Sequence, residues 1–162
     1  MRTHAHTAQD TEDFGGQLAR ARPEGASFAV VNLSGELGAG KTTFARGFLR
    51  GLGVSGPVRS PSYTLVDIYP VAGLTVRHVD LYRLRDPAEL DTLGLREWAR
   101  PGNLWLIEWP EKGAGHLPPP DLALLFAAGA PGHDIEATAQ SELGRSWMAR
   151  FAAMPDGAHG RS

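Results

Sequence analysis

The chain has 162 residues, a net charge of −2, a hydrophobic fraction of 42% and a charged fraction of 21%, the proportions of a single globular domain able to bury its own core. This charge balance excludes bulk electrostatic attraction to nucleic acid, and the absence of cysteine excludes disulfides, thiolate zinc sites and cysteine nucleophiles. Residues 1–13 hold no apolar run of the secretory kind, and the longest apolar run, Leu122–Ala128, is too short to cross a bilayer. The chain therefore reads as a cytoplasmic protein with no membrane contact.

In chain order, residues 1–9 are expected to form a tail without regular structure, ahead of one domain over 10–154 and a second tail over 155–162. Asp10 or Thr11 can cap a helix reaching Arg22, with Phe14 and Leu18 one turn apart. Pro23 ends it. The run Ser27–Leu33 reads as a buried strand. A helical pattern then starts at Lys41, with Phe44, Phe48 and Leu52 at four-residue spacing, and stops near Gly51–Gly53.

Between that strand and that helix lies Gly35-Glu36-Leu37-Gly38-Ala39-Gly40-Lys41-Thr42, which meets G-x-x-x-x-G-K-[ST] at every fixed position. Glycines let successive backbone N–H groups turn toward phosphate oxygens, and the helix that begins there adds the positive end of its dipole. Lys41 can reach the β- and γ-phosphates, the Thr42 hydroxyl can hold Mg²⁺, and Thr43 can reach the α-phosphate. Lys41 and Lys112 are the only lysines beside 14 arginines, so a compact point charge stands where phosphate chemistry wants one.

The segment Val58–Thr64 reads as an exposed loop entering a strand, Thr64–Tyr69. Its hydroxyls, Ser60, Ser62 and Thr64, suit either a plain loop or a switch that senses γ-phosphate and Mg²⁺. A turn over 70–73 makes the flanking strands a hairpin, and along Leu74–Leu81 the residues Val76, His78 and Asp80 share one face. Short helices are predicted over Pro87–Thr92 and Leu95–Ala99, and a buried strand over Asn103–Trp109 that Pro110 stops. Asp121–Ala128 and His133–Ala139 form a second predicted hairpin, followed by a helix with Leu143, Trp147 and Phe151 at four-residue spacing.

A nucleotide site of this kind needs an acid at the end of a neighbouring strand to hold Mg²⁺. Asp80 and Glu108 are the two candidates, and ligands in open α/β sheets gather at the carboxyl ends of strands. Which of the two ligates the metal directly stays open. Trp109 reads as packing that lies near enough to report nucleotide binding, His78 as a structural histidine, and Arg83 and Arg85 as a solvated face or as phosphate contacts. The guanine signature Asn/Thr-Lys-x-Asp is absent, which favours ATP.

Taken together, Gly35–Thr43, Ser60–Val66, Asp80-Leu81-Tyr82-Arg83-Leu84 and Ile107-Glu108-Trp109-Pro110-Glu111-Lys112 resemble the bacterial TsaE (YjeE) family over roughly residues 10 to 140. The resemblance implies one α/β P-loop domain with a mixed parallel and antiparallel sheet flanked by helices, binding ATP and Mg²⁺. It implies metal positions at Thr42 and Glu108, an acid for turnover at Asp80, a switch-like loop at Ser60–Thr64, and Thr11 near the adenine. It implies TsaB and TsaD homologues as partners in threonylcarbamoyl transfer to tRNA adenosine, tRNA being met only through that complex. The chain alone is expected to be a monomer. Two positions depart from the family. Ser62 stands where threonine is frequent, and His133 where arginine is common.

The expected activity is ATP hydrolysis that resets the transferase, slow without partners because no arginine stands out as a finger. Lys41, Asp80 and Glu108 are the expected catalytic residues. Gly35, Gly38, Ala39, Gly40, Lys41, Thr42, Thr43, Ser60, Ser62, Thr64, Thr11 and Trp109 are expected around the nucleotide, and Thr42, Asp80 and Glu108 around the metal. The alternatives are a small-molecule, nucleoside-type kinase and a nucleotide-gated binding module that scarcely hydrolyses ATP.

Overall fold

The computed structural model describes residues 1–25, 27–61, 63–129 and 131–155; Ser62 and the end of the second predicted tail lie outside them. Seven strands form one sheet in the order β1-β7-β6-β2-β5-β4-β3. These are β1 Arg2–Ala5, β2 Ala29–Gly35, β3 Val66–Val71, β4 Leu74–Asp80, β5 Asn103–Glu108, β6 Leu122–Ala128 and β7 His133–Ala139. The middle strands β6, β2, β5 and β4 run parallel, and β3, β7 and β1 add antiparallel pairings outside them. This is the single α/β domain with a mixed sheet that the sequence predicts.

Helices α1 Ala8–Arg20, α2 Lys41–Gly51 and α3 Glu142–Ala152 cover one face. Their Phe14, Phe44, Phe48, Trp147 and Phe151 close over Val31, Leu33, Leu104 and Leu106. Burying several such rings is the largest favourable term, about 1.5–3 kcal/mol for each large side chain. The α1–α2 contact is made backbone to backbone. A Cβ on Gly47 would lie 1.8 Å from the Glu12 carbonyl oxygen, so only glycine permits that approach. The other face is thinner. Leu84, Leu90 and Leu95, from or beside the 3-10 helices Pro87–Leu93 and Leu95–Trp98, cover Val79, Trp105 and Ile107.

Two expectations about the N-terminus are corrected. Arg2–Ala5 is a strand, pairing with β7 through Arg2↔Glu136 to Ala5↔His133. Met1 donates its amino group to the Ala137 carbonyl at 3.0 Å, and Arg2–Glu136 and His4–Asp134 pair across the strands. The free edge of β7 supplies the hydrogen bonds that the tail's own composition gave no reason to expect. Helix α1 starts earlier than predicted, because Thr7 is its cap and Asp10 closes a capping box, donating its N–H to the Thr7 hydroxyl at 3.1 Å.

The strands also shift at their ends. β2 begins two residues later and runs through Gly35, β3 starts at Val66, and β5 ends at Glu108. Trp109 takes a left-handed backbone, φ 60°, which ends the strand one residue early.

Candidate nucleotide site

The phosphate loop leaves the carboxyl end of β2 and enters α2. Gly40 caps the helix with φ 103°, a conformation that costs any Cβ-bearing residue. No side chain caps α2, so its first N–H groups are left to face the cleft, the arrangement that favours an anion. Lys41, just after the cap, is 4% exposed. Its Nζ donates to the carbonyls of Gly35 at 2.5 Å and Glu36 at 2.7 Å, and lies 4.3 Å from the centroid of the Trp109 ring. Burial lowers its pKa, an effect opposed by Glu108, Glu111 and Asp80.

The two acids stand side by side. In the parallel register of β4 and β5, Asp80 is opposite Glu108, and Glu108 is in turn opposite Leu33 of β2. Both carboxylates therefore emerge at the same end of the sheet as the loop, as the sequence predicts. Their partners differ. Glu108 is 2% exposed; its Oε1 accepts from the Thr42 hydroxyl at 3.0 Å, and its Oε2 lies 2.6 Å from His78 Nε2. Asp80 accepts from the Ser60 hydroxyl and, at 3.0 Å, from the Tyr82 N–H. The Asp80 N–H is bonded to the carbonyl of Leu65, whose φ of 68° makes it the other non-glycine residue in the left-handed region among the described residues. Each acid thus has a neighbour in the left-handed region, Leu65 bonded to the Asp80 N–H and Trp109 next to Glu108 in the chain, a pattern that gathers at functional sites.

These groups line a cleft of about 410 Å³, within the range of small-molecule sites. Of the residues expected there, Gly38, Gly40, Lys41, Thr42, Thr43, Ser60, Asp80, Glu108 and Trp109 line it. Gly35, the last residue of β2, and Ala39, buried within the loop, do not line it. Thr64 is exposed in the turn before β3 and does not line the cleft. Ser62 lies outside the described residues. Thr11, fully buried in the first turns of α1, is one contact away: its Oγ1 is 3.3 Å from Nδ1 of His133, which does line the cleft.

Sequence reasoning leaves two contributors unassigned to the site and a third open. His78 was read as structural, yet its ring touches Glu108; the signal was its place two residues before Asp80, on the same strand face. Tyr82 lines the cleft and packs on Trp109 with centroids 5.2 Å apart. Arg83, left between two readings, lines the cleft with its guanidinium 4.4 Å from the Tyr63 ring centroid, whereas Arg85 does not line it. For a metal, a hydroxyl and a carboxylate side by side are the hard oxygen donors that Mg²⁺ takes, alongside phosphates and water.

A family model described as Threonylcarbamoyl adenosine biosynthesis protein TsaE matches residues 5–134. A Haemophilus influenzae protein named tRNA threonylcarbamoyladenosine biosynthesis protein TsaE is 46% identical over 123 residues, spanning 76% of this chain and 78% of that one. The Bacillus subtilis protein of the same name is 39% identical over 111 residues, spanning 68% and 69%. The crystal structure of Bacillus subtilis YdiB aligns with a TM-score of 0.77 at 25% identity, over 94% of this chain and 93% of that one. With matches of this length around a complete phosphate loop and two adjoining strand-end acids, the chain belongs to the TsaE family.

Proposed function

We propose that the protein binds MgATP in this cleft and hydrolyses it in the service of threonylcarbamoyl modification of tRNA adenosine, acting on a TsaB–TsaD transferase. The observation that carries the reading is the contact between Thr42 and Glu108, 3.0 Å apart at the mouth of the phosphate loop. It joins a metal-type hydroxyl to a strand-end acid where the triphosphate would lie.

The residues divide the work. The first N–H groups of α2 and the Lys41 ammonium hold the phosphates, Lys41 exchanging the carbonyls of Gly35 and Glu36 for phosphate oxygens. Thr42 and Glu108, with Asp80 beside them, would hold Mg²⁺, which would supply neutralisation of phosphate charge. Asp80 orients the attacking water and, through the Ser60 hydroxyl, ties the Ser60–Thr64 loop to the γ-phosphate. Water adds to the γ-phosphorus, the bond to the β-phosphate oxygen breaks, and ADP and inorganic phosphate leave. The adenine lies toward Thr11 and His133, and Trp109, over Lys41, reports occupancy. With Thr64 outside the cleft lining, its hydroxyl joins the phosphates only when the turn before β3 moves in.

The test is steady-state ATP hydrolysis by wild type and Glu108→Ala with TsaB and TsaD homologues present. The reading expects release of free phosphate that the variant abolishes. Undiminished hydrolysis overturns the metal assignment. Labelled γ-phosphate recovered on an acceptor identifies a kinase instead, and nucleotide-dependent partner binding without turnover identifies a gated module.

A further inference from the structure

His78 is completely buried in the middle of β4, on the strand face that also carries Asp80. Its neighbours across the sheet are Leu106 of β5 and Asp67 of β3. An aliphatic residue would serve packing better there, since an imidazole out of water costs free energy unless it is hydrogen-bonded. One nitrogen is. Nε2 meets Glu108 Oε2 at 2.6 Å, and a carboxylate can only accept, so Nε2 is the donor. Nδ1 has no partner among the described residues. The ring thus spends its single satisfied bond on the carboxylate, and Thr42 takes the other oxygen of the same group at 3.0 Å.

We propose that His78 is the positioning residue of Glu108: its Nε2–H pins Oε2 so that Oε1 is presented at Thr42, where Mg²⁺ would be held. The proposal rests on the MgATP reading above and adds to it the group that sets the acid's orientation. A side chain of Glu108's length has several rotamers open to it, and fixing one before ligand arrives removes that entropy from metal binding. Removing such an outer partner of a ligating group lowers metal affinity by about 10- to 100-fold. His78 lies in a strand hydrogen-bonded on both sides, to β3 and β5, rather than in a loop.

The test is calorimetric titration of a non-hydrolysable ATP analogue into wild type, His78→Leu, His78→Asn and His78→Gln, in EDTA and across a Mg²⁺ series. Glutamine places an amide N–H near the position of Nε2; asparagine is too short to reach, and leucine donates nothing. In EDTA all four should bind alike, which also shows that they are folded. With Mg²⁺, the midpoint for the leucine and asparagine variants should rise about 10- to 100-fold, and that of the glutamine variant should stay within about threefold of wild type. If His78→Leu does not fold, the asparagine and glutamine pair makes the same comparison. Wild-type midpoints in the leucine and asparagine variants, no rescue by glutamine, or an equal loss in EDTA would each overturn the proposal. A wild type that binds the analogue without any Mg²⁺ dependence would instead overturn the reading on which the proposal depends.

Discussion

The two acids of the cleft occupy equivalent positions on adjacent strands, yet their surroundings are opposite in kind. Glu108 is held by Thr42 from the helix that the phosphate loop starts and by His78 from inside the sheet, so its oxygens meet side chains within the packed domain. Asp80 is held by Ser60, which belongs to an exposed loop, and by the backbone of Tyr82, two residues on. The difference teaches that one carboxylate is set by the fold and the other is tied to a segment the fold leaves on the surface. A ligand can therefore find Glu108 already in place, while closing on Asp80 is a way of moving the Ser60 loop.

The comparison can be broken at either acid. Glu108→Ala should have the largest effect. ATP hydrolysis should fall about 10³-fold, as when a preorganised group facing developing charge is removed, and affinity in Mg²⁺ should drop to its value in EDTA. The same variant leaves His78 Nε2 buried and unpaired, so thermal unfolding should show a loss of about 1–3 kcal/mol. Asp80→Asn should separate the two roles. It keeps the Oδ1 acceptor for the Tyr82 N–H and turns the Ser60 contact round, the Asn Nδ2 donating to the hydroxyl, but removes the charge, so hydrolysis should fall about 10²-fold while the melting temperature changes little. If Asp80→Asn destabilised the protein as much as Glu108→Ala does, the contrast between a built-in acid and a loop-linked one would be wrong.

Ser60→Ala sharpens it further. Losing one hydrogen bond of about 1 kcal/mol should slow hydrolysis by about fivefold, and protease sensitivity of the 59–65 segment in the presence of nucleotide should rise. The smallest effect concerns Lys41. Its pKa is lowered by burial in the folded chain, so in alkaline solution the unfolded chain binds more protons than the folded one. Nucleotide-free stability contributed by this group should therefore rise with pH between its lowered value and the ordinary lysine value of about 10.4. Denaturant unfolding across that window should show the slope in wild type and its loss in Lys41→Met.

Much of the site was legible because its residue types are demanding. The glycines and lysine of the loop are recognisable at fixed spacing, and a strand-end acid is visible wherever an apolar run stops at a carboxylate, as at Glu108. His78 was not legible in the same way. A histidine within a mixed strand says nothing until the register of β4 against β5 brings it to Glu108. The strand at residues 2–5 was equally hidden, since among its four residues only Ala5 is buried and the bonds that order it belong to β7. Thr7 escaped as a cap because Asp10, the acid that completes its box, looked like the cap itself.

The amino-acid order alone settled the phosphate loop, the helix that follows it, the two acids and the mixed α/β class, because local spacing and residue chemistry suffice for each. Only the folded chain could decide that Lys41 lies on its own loop's carbonyls beneath Trp109, that His78 and Thr42 share one carboxylate, and that Ser60 reaches Asp80. Those relations depend on strand order and register, which arise from burying Phe44, Phe48 and Trp147 over the sheet. Hydrophobic burial is non-directional, so no local pattern announces which distant partners it will bring together.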